Sequence, residues 1–454
     1  MSNPLKTSNM KKLYIIMMLV MTSLTVEAQT SVWNGSRKLW TRGEGTESNP
    51  YLIESAENMA YLSYMVNTGF DTQNLHFALT TDIDLNGSED QLWTPIGLGS
   101  NYYYEDGCER VPYSSETPNN SFKGHFDGGG HKIYNIYTKD ISLAGLFGYV
   151  DGPSIIENVT VENGYIQNAQ YGGGIIGKGN ISVVVTNCSN GADISGDYVG
   201  GIIGSGCGSI SRCSNSGYIK GNIVGGGISG TLATQISECY NTGRVVAYSN
   251  SCGGIVGSSI KEVSIVNCYN MGRVYGTAQY AGGIGGSLLK GLVKNCYNAG
   301  DLTGSQGTVG GIIGSNFNGT VDNCYYLNTC GGEGLGEALT EIEMRDEAFV
   351  GSLNNGTDVW GFDENYLNDG YPILESSILS TTETSEMAIS VYPNPAKGSF
   401  TVEGNGLLTV MNVLGQKVME RTIEERNTVT LPEGIYLLRL TEGTTSTTRK
   451  VVVY

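Results

Sequence analysis

Ten cysteines, three histidines and 28 tyrosines are the side chains of this 454-residue chain whose types invite chemistry. Six of the cysteines recur at intervals of 25, 26, 29, 28 and 28 residues: Cys188, Cys213, Cys239, Cys268, Cys296 and Cys324. One thiolate per interval cannot close a tetrahedral site, so a metal on this series is not expected. None of the ten cysteines sits in a triad context. His76, His125 and His131 lack metal-motif spacing, and HExxH is absent. His131 lies in FDGGGHKI and reads as a turn histidine. The triple glycine there is not a dinucleotide loop, because no strand–helix unit surrounds it. Asp82-x-Asp84-x-Asn86-Gly87 opens like a calcium loop, but its twelfth position is Trp93 in place of a bidentate Glu. No serine has a nucleophile elbow. These residues predict no catalytic group, no cofactor and no metal.

The cysteine series is one half of a repeat. Gly-Gly-Ile-x-Gly occurs at 173–177, 200–204, 226–230, 253–257, 282–286 and 310–314, with AGLFG at 144–148 as an earlier relative. It advances in step with the Cys-(Ser/Tyr)-Asn motif. Five or more glycines per unit would cost about 1 kcal/mol each inside helices, so helical repeats are excluded. Short apolar pieces bounded by Gly and Asn are strand-and-turn punctuation. Each unit therefore reads as one coil of a parallel β-helix with about three short strands, and successive coils stack about 4.8 Å apart. Ile175, Ile202, Ile228, Ile255, Ile284 and Ile312 are the expected interior, with Ile194, Ile219, Val245, Val274 and Leu302. Glycines at the turns should supply positive φ. Asn190, Asn215, Asn241, Asn270 and Asn298 can tolerate left-handed turn geometry and bond neighbouring backbone groups. Stacked cysteines pointing one way lie too far apart for disulfides, and Val159 at the same position marks it as a small-hydrophobe site. Inward placement needs a corner between each Cys and the aliphatic residue three positions before it. Cys108, Cys207, Cys252 and Cys330 fall outside the series, and their pairing is left open.

Two features invite a ligand. If each Cys faces inward, its successor faces outward, giving Tyr240, Tyr269, Tyr297 and Tyr325 as an exposed aromatic stripe. The competing reading is a stacking ladder that only stabilises the sheet. The segment 99–121 interrupts the chain with Tyr102, Tyr103, Tyr104, Asp106, Arg110 and Tyr113. Loops of this kind on a rigid scaffold often carry function.

The elements around the coils are legible too. Lys6, Lys11 and Lys12 precede a short apolar run, and Ala28–Gln29 is the expected signal cleavage point. Met10 is a second candidate start. That run is shorter than a membrane span, and no transmembrane segment is expected in the mature chain. Met59, Leu62, Met65 and Val66 have helical spacing between a Ser55 cap and a Gly69 stop, suiting a helix that covers the first coil. A second capping helix is expected in TEIEMRDEAFVGSLNNG, with Ala348, Phe349 and Leu353 apolar. The net charge of −18 argues against nucleic acid as a partner. Residues 172–329 carry eight basic and six acidic side chains, whereas 330–380 carry one and eleven. Repulsion at that end suits a cap that must not stack on other chains; calcium binding there is the sharper alternative.

At this point two resemblances enter. The repeats GGIIGKGN…NCSN and GGIVGSSI…NCYNMG resemble the GLUG-motif repeats of bacterial surface proteins. NPYLIESAENMAYL, TTDIDLNG, WTPIG, FKGHFDGGGHKIYNI and AGLFGYV resemble the leader before such repeats, and NDGYPIL their end. The resemblance covers about residues 31–375 and implies a right-handed β-helix without implying one activity. VYPNPAKGSFTV, MNVLGQKV, LPEGIYLLRL and RKVVV resemble the type A C-terminal sorting domain of type IX secretion cargo. Its motif positions are Pro393, Asn394, Pro395 and Gly398 in the opening turn, Leu414, Gly415 and Gln416 at a hairpin, and Gly434 and Tyr436 later. This resemblance implies passage through the outer membrane by the type IX machinery. It further implies removal of the tail by a sortase and attachment to anionic lipopolysaccharide. Tyr454 ends the chain where such tails often end in basic residues.

The expected organisation is thus all-β. A signal peptide (1–28) leads to an N-terminal cap and first coils (29–143), the repeat β-helix (144–330) and a C-terminal cap (331–375). A linker (376–388) then joins an Ig-like sorting sandwich (389–454). The expected function is a non-catalytic adhesin or interaction scaffold that binds glycan or a host or bacterial surface protein. A secreted carbohydrate-active β-helix enzyme is the alternative; it would need two carboxylates converging in a groove.

Overall fold

The computed structural model describes residues 30–98, 102–105, 109–112, 120–277, 279–304, 307–375, 390–392, 396–403, 406–412, 417–423, 426–442 and 445–453. It contains two compact units, Met1–Met344 and Arg345–Tyr454. The signal positions Ala28 and Gln29 lie outside the described residues.

In the first unit thirty strands form one sheet, and their pairings are parallel. Register advances one repeat at a time. Ile194 lies beside Ile219, then come Val245, Val274 and Leu302. The chain is therefore a parallel β-solenoid. One coil comprises Val256–Val266, Tyr269–Asn270, Val274–Gly276 and Tyr280–Gly282. Other coils have the expected three, such as Gly285–Asn298, Leu302–Gly304 and Thr308–Gly310. The repeated isoleucines from Ile175 to Ile312 are buried, as are Ile194, Ile219, Val245, Val274 and Leu302.

The corner demanded by the cysteine series exists. Asn187, Arg212, Glu238, Asn267, Asn295 and Asn323, each just before a series cysteine, have φ of 50–53°. This left-handed residue turns the chain, so that Ile210 and Cys213, three positions apart, are both buried. Asn190, Asn215, Asn241, Asn270 and Asn298 can tolerate left-handed geometry but do not adopt it. It sits instead on the residue before each Cys.

Those five asparagines bond neighbouring backbone groups, as expected, and also one another. All are buried, and they bond in series along the axis. Nδ2 of Asn190, Asn215, Asn241 and Asn270 donates to Oδ1 of the next at 2.8, 2.8, 2.8 and 2.7 Å. The same nitrogens donate to the carbonyl two residues on, as Asn241 does to Gly243 at 2.8 Å. The second glycine of five of the six Gly-Gly-Ile motifs lies against this ladder, and that of the sixth, Gly311, against the Tyr326 ring. A Cβ on Gly254 would stand 2.1 Å from the Gly283 carbonyl oxygen and 2.3 Å from Asn270 Cγ. Close approach, and not positive φ, is why that position is glycine.

Ser55 caps the helix Ala56–Asn67 as expected, its hydroxyl accepting from the Asn58 amide, and Gly69 follows with φ of 97°. Met59, Leu62 and Val66 join the solenoid core. The second expected helix is two, Glu341–Met344 and Glu347–Asn354, because Asp346 caps a fresh start. Its buried face is Phe349, Val350 and Leu353, whereas Ala348 is exposed. The last strand of the large sheet, Glu337–Leu339, pairs with the preceding coil. Glu333, Glu337, Glu341 and Glu343 are exposed around it.

In the second unit, Asp363 is buried and its carboxylate accepts from the amides of Leu367, Asn368 and Gly370 at 2.8, 2.7 and 3.0 Å. That acid closes a turn. Two antiparallel sheets follow. Ser390–Tyr392, Ser399–Glu403 and Arg426–Thr430 form one; Lys417–Ile423, Gly406–Asn412, Gly434–Glu442 and Thr445–Val453 form the other. Phe400, Val402 and Val429 share a core with Leu408, Val410, Leu438, Leu440 and Val451, which makes the small β-sandwich. Gly398 has φ of 73°, and the buried Tyr436 donates its hydroxyl to the Pro432 carbonyl at 3.1 Å. Pro393, Asn394, Pro395, Leu414, Gly415 and Gln416 lie outside the described residues. The strands flanking the last three pair antiparallel, as a hairpin requires.

Candidate functional site

The Tyr series is in register but is not the exposed stripe expected. Tyr240 pairs with Tyr269, Tyr269 with Tyr297, and Tyr297 with Tyr325. Ring centroids are 4.9 and 5.1 Å apart along the first three, with interplanar angles of 2° and 3°. Tyr269 is 3% exposed and Tyr297 0%. Coil spacing puts each ring face against the next, so the faces a sugar would need are already covered. Tyr240 and Tyr325 are half-buried, and Tyr325 donates its hydroxyl to Asn323 Oδ1 at 2.7 Å. This row works as a stacking ladder.

The cysteine series is a column of free, buried thiols, joined by Cys252 and Cys330 outside the repeat position. The backbone amides of Cys188, Cys213 and Cys268 point at the sulfur of the next coil at 3.4 Å. Burial pushes the thiols of Cys188, Cys239 and Cys268 up, and that of Cys252 to about 12. Thiolate, not thiol, is the nucleophile, so at pH 8 only about one part in ten thousand of Cys252 is reactive. Ellman's reagent at pH 8 is expected to leave all eight buried thiols untouched in the folded chain and to titrate them once guanidinium opens the coils. Reaction of more than the two remaining cysteines under native conditions would show an open column.

The segment 99–121 holds an antiparallel hairpin, Tyr102–Glu105 paired with Glu109–Pro112, with Tyr103 opposite Val111. Asp106, Cys108 and Tyr113 lie outside the described residues. The three histidines are brought onto neighbouring coils. His76 and His125 pair in register with ring centroids 5.0 Å apart, and His125 Nε2 lies 2.6 Å from Glu157 Oε1. His131 Nδ1 lies 3.1 Å from Asp82 Oδ1, which also accepts the Lys132 amide, in keeping with a turn role. Among the described residues no group of three or more His, Cys, Asp or Glu is placed to hold a metal ion. A polar depression of about 550 Å³ is lined by Asp140, Ser142, Asn168, Gln170, Asp197 and Asn222. Its groups bond from coil to coil: Asn168 to Asp140 at 2.9 Å, Ser142 to Gln170 at 2.8 Å, Asn222 to Asp197 at 3.1 Å.

Residues 390–454 match the family described as "Secretion system C-terminal sorting domain". The sandwich is that domain, and it marks the protein for type IX secretion to the cell surface or the extracellular space. Among the described residues no helix is long and apolar enough to cross a membrane. Two curated proteins are similar over part of the chain. "Halomucin" of Haloquadratum walsbyi is 27% identical over 197 residues, which is 40% of this chain and 2% of that protein. A "Putative Gly-rich membrane protein" of Evansella cellulosilytica is 29% identical over 141 residues, 30% of this chain and 14% of that one. The chain thus spans a small fraction of both relatives. Among solved structures, a "putative immunoglobulin A1 protease" from Bacteroides ovatus aligns with a TM-score of 0.48 at 23% identity, over 74% of this chain and 94% of that one. Likeness at that level says nothing about activity.

Proposed function

We propose that this chain is a non-catalytic adhesin or interaction scaffold, built of GLUG-like repeats, whose coil faces bind glycan or surface protein. The supporting observation is how its charged side chains are used. Lys132 bonds Glu162 on the next coil at 2.8 Å, Lys290 bonds Glu262 on the preceding one at 2.7 Å, and Lys294 bonds Asp322 at 2.7 Å. His125 and His131 are held by carboxylates in the same way. Acids and bases are strung along the axis in pairs, where an acid–base mechanism needs them converging on one bond. In this reading a sortase removes the sandwich after export and joins the chain to anionic lipopolysaccharide.

The test is the purified full-length chain on arrays of immobilised glycans and extracellular-matrix proteins, with the same polysaccharides incubated in solution and sized. Saturable binding without shortening is expected. Shortened polysaccharide would overturn the reading in favour of a carbohydrate-active enzyme, and absence of binding to every surface would overturn it outright.

A further inference from the structure

One face of the solenoid departs from this charge pairing. Lys220, Arg244 and Arg273 stand on three successive coils. Among the described residues, none of the three has a carboxylate oxygen within 4.0 Å, and none donates a side-chain hydrogen bond to a protein acceptor. Register explains their company. Ile219, Val245 and Val274 stack with their side chains inward, so the residues on either side face out. Tyr218, Arg244 and Arg273 form one outward file. Lys220 and Tyr275 belong to the next, on either side of Val246, which is covered to 1% exposure, and Tyr248, 43% exposed, borders it.

Cation–ring contacts join these residues as a chain of four and a separate pair. The Arg244 guanidinium lies 5.5 Å from the Tyr218 ring centroid and 5.9 Å from that of Tyr275. Arg273 lies 5.9 Å from Tyr275, and the Lys220 ammonium 5.9 Å from Tyr248. Such contacts orient the cations while leaving their N–H groups for another acceptor. Asp193 and Asp301 continue the first file at its two ends. Asp193 accepts the Tyr218 amide at 3.0 Å, and Asp301 is exposed. Between them lie three positive charges without an ion-pair contact, on a chain whose net charge is −18.

A matching ligand carries acidic groups and flat C–H faces in regular alternation. Sulfate or carboxylate fits the planar guanidinium fork, and a pyranose ring packs on tyrosine. We propose that Tyr218, Lys220, Arg244, Tyr248, Arg273 and Tyr275 form a binding strip for an acidic polysaccharide lying along the solenoid axis. The proposal rests on the glycan-binding reading above and narrows its ligand to one chemical class.

The test measures binding of the full-length chain to immobilised heparin, hyaluronan, neutral dextran and double-stranded DNA over a salt series. Heparin or hyaluronan should bind, dextran should not, and added salt should weaken binding by screening. Losing a charge-assisted contact at Arg244→Gln or Arg273→Gln should weaken binding about tenfold each. Lys290→Gln, at a paired cation, should leave it unchanged, and thermal melts check that each variant is folded. Undiminished binding by folded Arg244→Gln and Arg273→Gln overturns the proposal, as does equal binding of dextran. Tighter binding of DNA overturns it in favour of a nucleic-acid surface. If no acidic polymer binds while the arrays still score a neutral glycan or a protein, the strip fails and the scaffold reading stands. If the arrays are also blank, both fail.

Discussion

Deleting residues 390–454 is expected to leave the chain in the periplasm, with near-complete loss from the cell surface and the medium. Fractionation and immunoblotting of cells carrying the truncated gene read this directly. The physical ground is that the sorting sandwich has its own core, from Ala396 to Val453, and the solenoid has another, from Trp33 to Cys330. Losing the former removes no residue from the latter. Export should therefore fail for want of the address and not of the fold. Leu438→Asp, which buries an unpaired charge in the sandwich core, should reproduce the defect in the full-length chain. Normal surface display of either variant would show that the tail is not the secretion signal.

Asn241→Ala should cost about 3 kcal/mol. Its side chain accepts from Asn215 and donates to Asn270 and to the Gly243 carbonyl, each at 2.8 Å. Removing it orphans three buried polar groups at about 1 kcal/mol or more apiece. Asn222→Ala is the control: it loses one exposed bond to Asp197 and should change stability by less than about 0.5 kcal/mol. Guanidinium unfolding followed by circular dichroism separates the two. Equal midpoints would mean that the buried amides contribute nothing beyond shape.

Much of this molecule is legible in its letters because stacking makes equivalent residues face equivalent neighbours. The period, the isoleucine interior, the thiol column and the helix after Ser55 follow from repetition and capping. The left-handed corner does not show. Asn fills it at four of the six cysteine corners, but Arg212 and Glu238 fill the others, and neither residue type announces a turn. The burial of Tyr269 and Tyr297 was hidden for another reason. Alternation says which way a side chain leaves the strand, but not that its neighbours' rings will close over it. The strip around Arg244 is hard to read because its key letter recurs only once: Arg244 and Arg273 share a position that Asp193, Tyr218 and Asp301 fill on the other coils. The sorting sandwich was readable from its motifs, since its alternating apolar residues supply a single core.

The asparagine ladder has a consequence for how such a chain can change. Each amide meets the same partner above and below, so excising one whole unit, or inserting a copy, restores every bond at the splice. The solenoid can then lengthen or shorten in whole steps by gene duplication and loss, without any junction having to be redesigned. The tenant of each outward position remains free to vary between copies.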